Sequence, residues 1–391
     1  MQTYNYKDDF EFFKNTNIVY LDSAATSQKP KIVLDVMQLY YTSYCSNIHR
    51  SSHETGDKAT RMYEDSRQYI AKYIGADSKE IVFSRGTTEA INLVAQSYVK
   101  ERFDTVILTQ LEHHSNIVPW QLQGLEIKTI EMDKDLNIDL DAFKELLKKN
   151  PNAFVSITHV SNSFGIINPV KQLINIAHSF GAKVLVDGAQ AIAHLKVDVK
   201  DLDADFYAFS AHKAYGPTGI GALYGKYEEL LKMKPYQGGG SMIEDVSFER
   251  SMYLDPPLRF EAGTQAISEV IGFAQALKYL SHLKGVEDKD KELMAFAKEH
   301  LATIPRIIFY TQATNLLANL SFNIQGIHHS DIGTLLSKQN IMLRTGHHCA
   351  MPIMKKLNIE GTVRISFAIY NTKEDILRCI KALKKAVEVL S

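Results

Sequence analysis

The sequence predicts an α/β protein whose strands and helices alternate along the chain and build a mostly parallel sheet. Short apolar segments such as 105–108, 152–158 and 184–187 are typical of buried strands, and helix-like amphipathic segments separate them. A Gly-rich stretch at 209–221 that contains Lys213 joins two strands, which is where α/β proteins place reactive groups. At 391 residues the chain is too long for one core, so we expect a second, smaller α/β domain.

The composition is that of a soluble globular protein, with 45% hydrophobic and 23% charged residues. A formal net charge of −1 gives no bulk field that would attract nucleic acid or an anionic membrane, so we expect neither as a partner. Three cysteines, Cys45, Cys349 and Cys379, do not make a disulfide framework and favour a reducing, cytoplasmic location. Residues 1–10 lack the apolar core of a signal peptide, and no apolar run is long enough to span a bilayer.

Apolar periodicity and stop signals place the elements of the larger, N-terminal part. Pro30 stands at the start of the first predicted helix, and Gly181 follows the end of another. We predict strands at 18–21, 80–83, 105–108, 152–158, 184–187, 205–208 and 219–224. Helices are predicted at 30–40, 59–74, 90–98 and 169–180.

A long helix predicted at 266–283 leads into the smaller domain, where the pattern is weaker. This domain is predicted to contain strands at 316–322, 341–343 and 363–367 and helices at 331–338 and 374–390. We place the large domain at residues 19–265 and the small domain at residues 1–18 and 266–391.

Three polar residues, Asn162, Asp187 and Lys213, each lie at or just after the carboxyl end of a different predicted strand. Because the carboxyl ends of parallel strands meet at one edge of a sheet, we expect these side chains to lie together. A lysine there forms a Schiff base with a carbonyl cofactor if its surroundings favour the free amine, although a lone turn lysine is more often merely solvated. Asp187 ends an apolar strand and needs a partner: a pyridinium N–H, an arginine or a backbone amide. The coincidence of the three favours a functional site.

Two further turns carry weaker signals. Gly86, Thr87 and Thr88 precede a predicted helix, where they bind a phosphate or simply cap the helix. His113 follows the strand 105–108, where it stacks on a planar cofactor or serves as a hydrogen-bonded structural histidine. Neither turn decides between these alternatives alone.

The stretch 344–352 places Cys349 directly after His347 and His348. Positive charge beside a loop cysteine stabilises a reactive thiolate. The same trio resembles zinc ligands, but adjacent residues rarely fill one tetrahedral site and no CxxC pair supports this interpretation. A buried, inert cysteine is the third alternative. The residues favour the reactive thiol, and we expect no metal.

Taken together, these motifs resemble the class V aminotransferase family of pyridoxal-phosphate enzymes, and within it the SUF-type (group II) cysteine desulfurases. The resemblance runs from residue 20 to residue 366 and rests on six stretches. They are SAHKAYGPTGIG at 210–221, DGAQ at 187–190, RGTTE at 85–89, EHHSNIVPW at 112–120, RFEAGT at 259–264 and RTGHHCAMP at 344–352. The resemblance implies the type I fold of pyridoxal-phosphate transferases, with a mostly parallel seven-stranded sheet between helices. Ala211 and residues 163–164 depart from the usual pattern, and 241–255 matches less well.

The resemblance also implies roles for individual residues. Lys213 would hold pyridoxal 5'-phosphate and move protons at the substrate α-carbon, and Cys349 would take the substrate sulfur. Asp187 would pair with the ring nitrogen, Gln190 with the ring oxygen, and His113 would stack on the ring as a catalytic residue. The remaining cofactor contacts would come from Thr87, Thr88, Asn162, Ser210, His212 and, from a second subunit, Thr264. Substrate would be bound by Arg364, Asn162 and Arg344.

The function implied is conversion of L-cysteine to L-alanine with a persulfide on Cys349, in a homodimer with shared active sites, supplying sulfur for iron–sulfur clusters. A selenocysteine lyase, another class V lyase or transferase, and a non-enzymatic sulfur carrier are the alternatives. Pro352 restricts the backbone close to Cys349, so the loop should move little. The sulfur must then be collected at the mouth of the active site. We therefore expect a SufE- or SufU-like acceptor protein as a partner.

Overall fold

The computed structural model describes residues 5–390, and two sheets organise this part of the chain. Residues 1–4 and residue 391 lie outside the described part. Residues 1–4 belong to the segment that we predict to lack a signal peptide. The strands are β1 Val19–Tyr20, β2 Ile81–Ser84, β3 Thr105–Leu108, β4 Glu126–Thr129, β5 Ala153–Thr158, β6 Val184–Asp187, β7 Phe206–Ser210, β8 Gly221–Gly225, β9 Ile243–Val246, β10 Ser251–Tyr253, β11 Ile307–Phe309, β12 Asn319–Ile324, β13 Ile341–Met342, β14 Arg344–Gly346 and β15 Thr362–Ser366. The α-helices are α1 Lys31–Leu39, α2 Glu54–Tyr73, α3 Thr87–Val94, α4 Val118–Leu122, α5 Leu140–Lys149, α6 Val170–Ser179, α7 Val199–Leu202, α8 Tyr227–Leu231, α9 Ile267–His282, α10 Val286–Leu301, α11 His329–Ser337, α12 Met351–Lys356 and α13 Lys373–Leu390.

The larger sheet has seven strands in the order β2-β8-β7-β6-β5-β3-β4. Strand β8 runs antiparallel to both neighbours, β2 and β7, and the pairs among β7, β6, β5, β3 and β4 are parallel. This confirms the predicted α/β class with a mostly parallel, seven-stranded sheet. The parallel register brings the carboxyl ends of β5, β6 and β7 to one edge, because Thr158 pairs with Asp187 and Asp187 with Ala208.

Both faces of this sheet are covered by helices, as the apolar strands require. Along β5, Phe154 packs in the core shared with α3 and α4, whereas Val155 and Ile157 pack in the core shared with α2, α6 and α9. Successive residues of a strand point to opposite faces, so this alternation follows directly from the two-residue period. The uninterrupted apolar run of β5 therefore reflects burial on both sides.

The smaller sheet is antiparallel in the order β11-β12-β15-β14 and packs on α10, α11 and α13. Strand β1 pairs in parallel with β13, and Val19 belongs to this second core. Helix α10 was missed in the sequence because charges dominate it, although Leu293, Ala297 and Leu301 form one buried stripe at four-residue spacing. The domain limits at residues 19 and 265 stay a prediction. Among the described helices, none is long and apolar enough to cross a membrane.

Candidate active site

A cavity of about 180 Å³ lies where the carboxyl edge of the large sheet meets the loop that carries Cys349. The predicted site residues that line it are Thr87, Thr88, His113, Asn162, Asp187, Gln190, Ser210, His212, Lys213, Arg344, Cys349 and Arg364. Thr264 does not line it; it is exposed in a separate surface groove beside Arg85 and Tyr236. The fold thus gathers residues from positions 87 to 364 around one space.

Lys213 lies in a short 3₁₀ turn directly after β7, with its amine at the cavity wall. Within residues 5–390, its side chain forms neither a hydrogen bond nor an ion pair. The pKa of Lys213 is lowered to about 8, mainly by burial; Asp187 opposes this shift, and the charges of Arg364 and Arg344 contribute to it. The turn is held from behind, because the His212 carbonyl accepts hydrogen bonds from Thr26 and Ser27. An unpaired amine with a lowered pKa suits Schiff-base chemistry.

Asp187 is the last residue of β6 and is 5% exposed. One carboxylate oxygen accepts the Ala189 N–H at 2.9 Å. Burial raises the pKa of this carboxyl, whereas the Ala189 N–H and Lys213 act in the opposite direction. A cationic N–H donor in the cavity would restore the ordinary preference for the carboxylate, so the site suits a protonated ring nitrogen.

A cradle of hydroxyl groups lies at the N-terminus of α3. Gly86 has φ +146°, a conformation that side chains disfavour, and a Cβ there would approach Ser210 Oγ to 3.2 Å. Ser210 Oγ accepts the Thr87 N–H at 2.8 Å, and the Thr88 and Ser115 hydroxyls share a hydrogen bond of 2.7 Å. Hydroxyls and backbone N–H groups at a helix N-terminus suit a phosphate.

His113 is neutral at physiological pH, because burial and then the Lys213 charge lower its pKa to about 3. Its Nδ1 accepts the Ser115 N–H at 3.1 Å, which leaves the proton on Nε2. Beneath it lies Glu112, which is 1% exposed and accepts hydrogen bonds from Thr109, Thr158 and Asn116. Glu112 therefore ties the His113 turn to strand β5, a role that sequence reasoning missed although the residue stands in a recognised motif.

The Cys349 loop is fastened to the large sheet. The Cys349 carbonyl accepts the His114 N–H at 2.8 Å, and His114 Nε2 accepts the Met351 N–H at 3.0 Å. Asn162 Nδ2 donates to the His348 carbonyl at 2.6 Å. His348 and Cys349 have φ of 51° and 55°, a left-handed conformation that non-glycine residues adopt at a cost of about 1 kcal/mol each. Strain of this kind persists where surrounding bonds enforce it, and it is common at functional sites.

Two arginines face the cavity near Cys349. Arg364 is 1% exposed; its Nη1 donates to the Asn162 carbonyl at 2.7 Å and its Nη2 to Asp22 at 2.9 Å. Arg344 is half-exposed and lies 3.3 Å from the other Asp22 oxygen. The guanidinium expected to clamp a substrate is thus already bonded to this chain, through a carboxylate that sequence reasoning did not single out. Burial lowers the pKa of Arg364.

The remaining predicted contacts are placed as follows. Gln190 lines the cavity and donates from Nε2 to the Ala24 carbonyl at 2.8 Å. Burial and the charges of two nearby lysines lower the pKa of His212 to about 4. His347 Nδ1 accepts the Cys349 N–H, and His348 Nε2 is hydrogen-bonded to Thr362. No cluster of three metal-ligating side chains occurs in residues 5–390.

The chain matches the family described as Aminotransferase class-V over residues 19–379 and belongs to this family. More narrowly, it is similar to cysteine desulfurases: 43% identical over 378 residues to that of Synechococcus elongatus, across 94% of this chain and 60% of that protein. It is 42% identical over 392 residues to the cysteine desulfurase of Wigglesworthia glossinidia brevipalpis. That match covers 97% of this chain and 95% of that protein. The crystal structure of the Escherichia coli cysteine desulfurase CsdA (S-sulfonic acid) matches with a TM-score of 0.92 at 38% identity. This match covers 99% of this chain and 98% of that structure's chain. The chain spans about three fifths of the length of the first curated relatives it matches.

The lowered pKa of Lys213 gives a pH prediction for the cofactor-free protein. Reductive methylation of Lys213 by formaldehyde needs the neutral amine, so its rate should rise through pH 8 and level off above. An ordinary lysine would need a pH of about 10.4. Asp187→Asn removes a charge that raises this pKa and should shift the curve to lower pH. Peptide mass spectrometry measures the rate, with the exposed Asp141→Asn as control. A half-maximal rate above roughly pH 10 would contradict the assignment.

Proposed function

We propose that this chain is a pyridoxal-phosphate-dependent cysteine desulfurase of the SUF type, which converts L-cysteine to L-alanine. One observation carries the proposal: the unpaired amine of Lys213 and the thiol of Cys349 line the same cavity. The desulfurases among its relatives support it. A lyase that acts without a thiol would not need the strained, fastened loop that presents Cys349.

The residues present fit the cofactor. Lys213 would attach it, and the buried Asp187 carboxylate would face its ring nitrogen. The hydroxyl cradle of Thr87, Thr88 and Ser210 would hold its phosphate. When bound, pyridoxal 5'-phosphate supplies an electron sink that acidifies the α-proton of an amino acid and weakens its Cβ–S bond.

The side chains then divide the work. Arg364 binds the substrate carboxylate, with Asn162 beside it, and so fixes which bond of the amino acid faces the thiol. Lys213 moves the proton at the α-carbon, for which a pKa of about 8 suits it near neutral pH. Cys349 attacks the substrate sulfur and retains it as a persulfide, so that cysteine leaves as alanine. The atoms balance without an added oxidant or reductant.

The direct test is incubation of the cofactor-loaded protein with L-cysteine and a reductant, measuring alanine and sulfide together. The proposal requires both products in equal amounts. Alanine without sulfide, or neither product, would contradict it. Loss of Cys349 distinguishes the selenocysteine lyase alternative, because selenium elimination tolerates loss of the thiol far better than sulfur transfer does.

Two single substitutions should separate the cofactor chemistry from the sulfur transfer. Lys213→Ala should lower the turnover rate by at least roughly a thousandfold. The absorption band of the attached cofactor should disappear in the same variant. Cys349→Ala should keep that band and its response to L-cysteine but release almost no sulfide, because the acceptor thiol is gone. Cys45→Ala, an exposed cysteine outside the cavity, is the control. Wild-type sulfide release by Cys349→Ala would rule out Cys349 as the acceptor.

We further propose a homodimer in which Thr264 completes the phosphate cradle of the neighbouring subunit. The cradle opens outward into a second groove lined by Thr87, Thr88 and Ser210, which leaves it accessible to another chain. The exposed turn of Thr264 is held at its start, because Glu261, three residues before it, is buried and forms a bidentate ion pair with Arg67 at 2.7 and 2.8 Å. A rigid, exposed, small-residue turn suits contact with a neighbour's phosphate.

Complementation tests this arrangement. A mixed dimer of Lys213→Ala and Thr264→Asp subunits would place both lesions in one site and leave the other intact, so activity should return toward half of the wild-type value. Mixing Lys213→Ala with Cys349→Ala is the matched control: both residues line one cavity of one chain, so no activity should return. Absence of recovery in the first mixture, with subunit exchange verified, would argue against shared sites.

The loop geometry supports a dedicated sulfur acceptor. Bonds to His114 and Asn162 hold the loop on both sides of Cys349, and α12 begins at Met351. A thiol held this way cannot carry its persulfide away from the cavity. We propose that a SufE- or SufU-like protein collects the sulfur at the cavity mouth in the cytoplasm, for iron–sulfur cluster assembly.

Turnover should therefore be slow with L-cysteine alone and rise at least tenfold with such an acceptor. A small thiol should imitate the acceptor only partly, because it has no docking surface. His114→Ala removes the bond between the His114 ring and the Met351 N–H, which loosens one side of the loop, and should raise the thiol-driven rate relative to the acceptor-driven rate. Alanine production gives the rates. Rapid turnover in the absence of any acceptor, with Cys349 unmodified, would refute the argument.

A further inference from the structure

Asp22 links the two arginines of the cavity from behind. It follows β1, and its two oxygens lie 2.9 Å from Arg364 Nη2 and 3.3 Å from Arg344 Nε. Its side chain is 18% exposed, and it is not part of the cavity wall. A backbone bridge to Ser366 joins it to the end of β15.

Asp22 is the sole carboxylate paired with either arginine within residues 5–390. The other acceptor of Arg364, the Asn162 carbonyl, is uncharged, and the buried Nε of Arg364 has no acceptor. Two guanidinium charges thus share one carboxylate, which leaves one net positive charge on this pair of arginines. That charge matches an amino acid with a single carboxylate and a neutral side chain.

We propose that Asp22 sets the charge selectivity of the substrate pocket. By cancelling one guanidinium charge from outside the cavity, it disfavours amino acids that carry a second anionic group on the side chain. It acts through Arg344 and Arg364 and is therefore a positioning residue. The inference rests on the proposed function, in which these arginines bind the substrate carboxylate.

The physical basis is the weak screening inside a partly buried site. An anionic side chain is repelled by Asp22 and attracted by an arginine that Asp22 does not occupy. Replacement by Asn removes the charge but keeps the size of the side chain, so the second guanidinium would become available. Specificity here comes from a repulsive group as much as from an attractive one.

The test compares two inert ligands of the cofactor-loaded protein, propionate with one carboxylate and succinate with two. Calorimetry gives their dissociation constants, and the ratio of propionate to succinate constants is the readout. Asp22→Asn should raise this ratio by roughly tenfold. Asp22→Glu keeps the charge and should stay near the wild-type ratio. Asp141→Asn, on the exposed face of α5, should not change it.

An unchanged ratio in a folded Asp22→Asn protein would overturn the proposal. If that variant does not fold, Arg344→Gln replaces it: removal of one cation should lower the ratio, and an unchanged ratio there overturns the proposal equally. Ligand binding is measured without turnover, so the result stands apart from the proposed function. Failure of the proposed function would be recognised separately, because wild-type protein incubated with L-cysteine would then form no alanine.

Discussion

The site depends on the hydrogen bonds that fasten the Cys349 loop to the carboxyl edge of the large sheet. His114 binds the loop through its backbone N–H and its ring, and Asn162 binds it through its amide. Both residues follow strands of the large sheet, whereas the loop follows β14 of the small one. These few bonds close the cavity and bring a thiol to the amine that the sheet presents.

Closure has electrostatic consequences. Burial lowers the pKa of Lys213 to about 8 and that of His113 to about 3, and it raises that of Asp187. Each shift brings the group closer to its neutral form, as expected where water is excluded. The cavity thus holds a lysine ready to lose its proton and a histidine that stays neutral. Both protonation states result from where the fold places Lys213 and His113, and neither needs an unusual side chain.

Local sequence patterns predicted the parts of the site that lie at strand ends. Asp187 ends one apolar strand and Lys213 lies just after another, and the parallel register that joins these strands follows from the strand–helix alternation. Asp22 could not be found this way, because its partner Arg364 lies at a separation of 342 residues. Glu112 was overlooked because its role is to join neighbouring segments rather than to face the cavity. A contact made by a second chain, as proposed for Thr264, leaves no trace in the order of elements.

In the proposed reaction the amine of Lys213 and the thiol of Cys349 act on one substrate molecule in one cavity. A single turnover with a limiting amount of L-cysteine, in the absence of reductant and acceptor, tests it most directly. Alanine is quantified, and the peptide that contains Cys349 is analysed by mass spectrometry. We expect one added sulfur atom on Cys349 for each alanine formed. Alanine formed in full while Cys349 stays unmodified would contradict it.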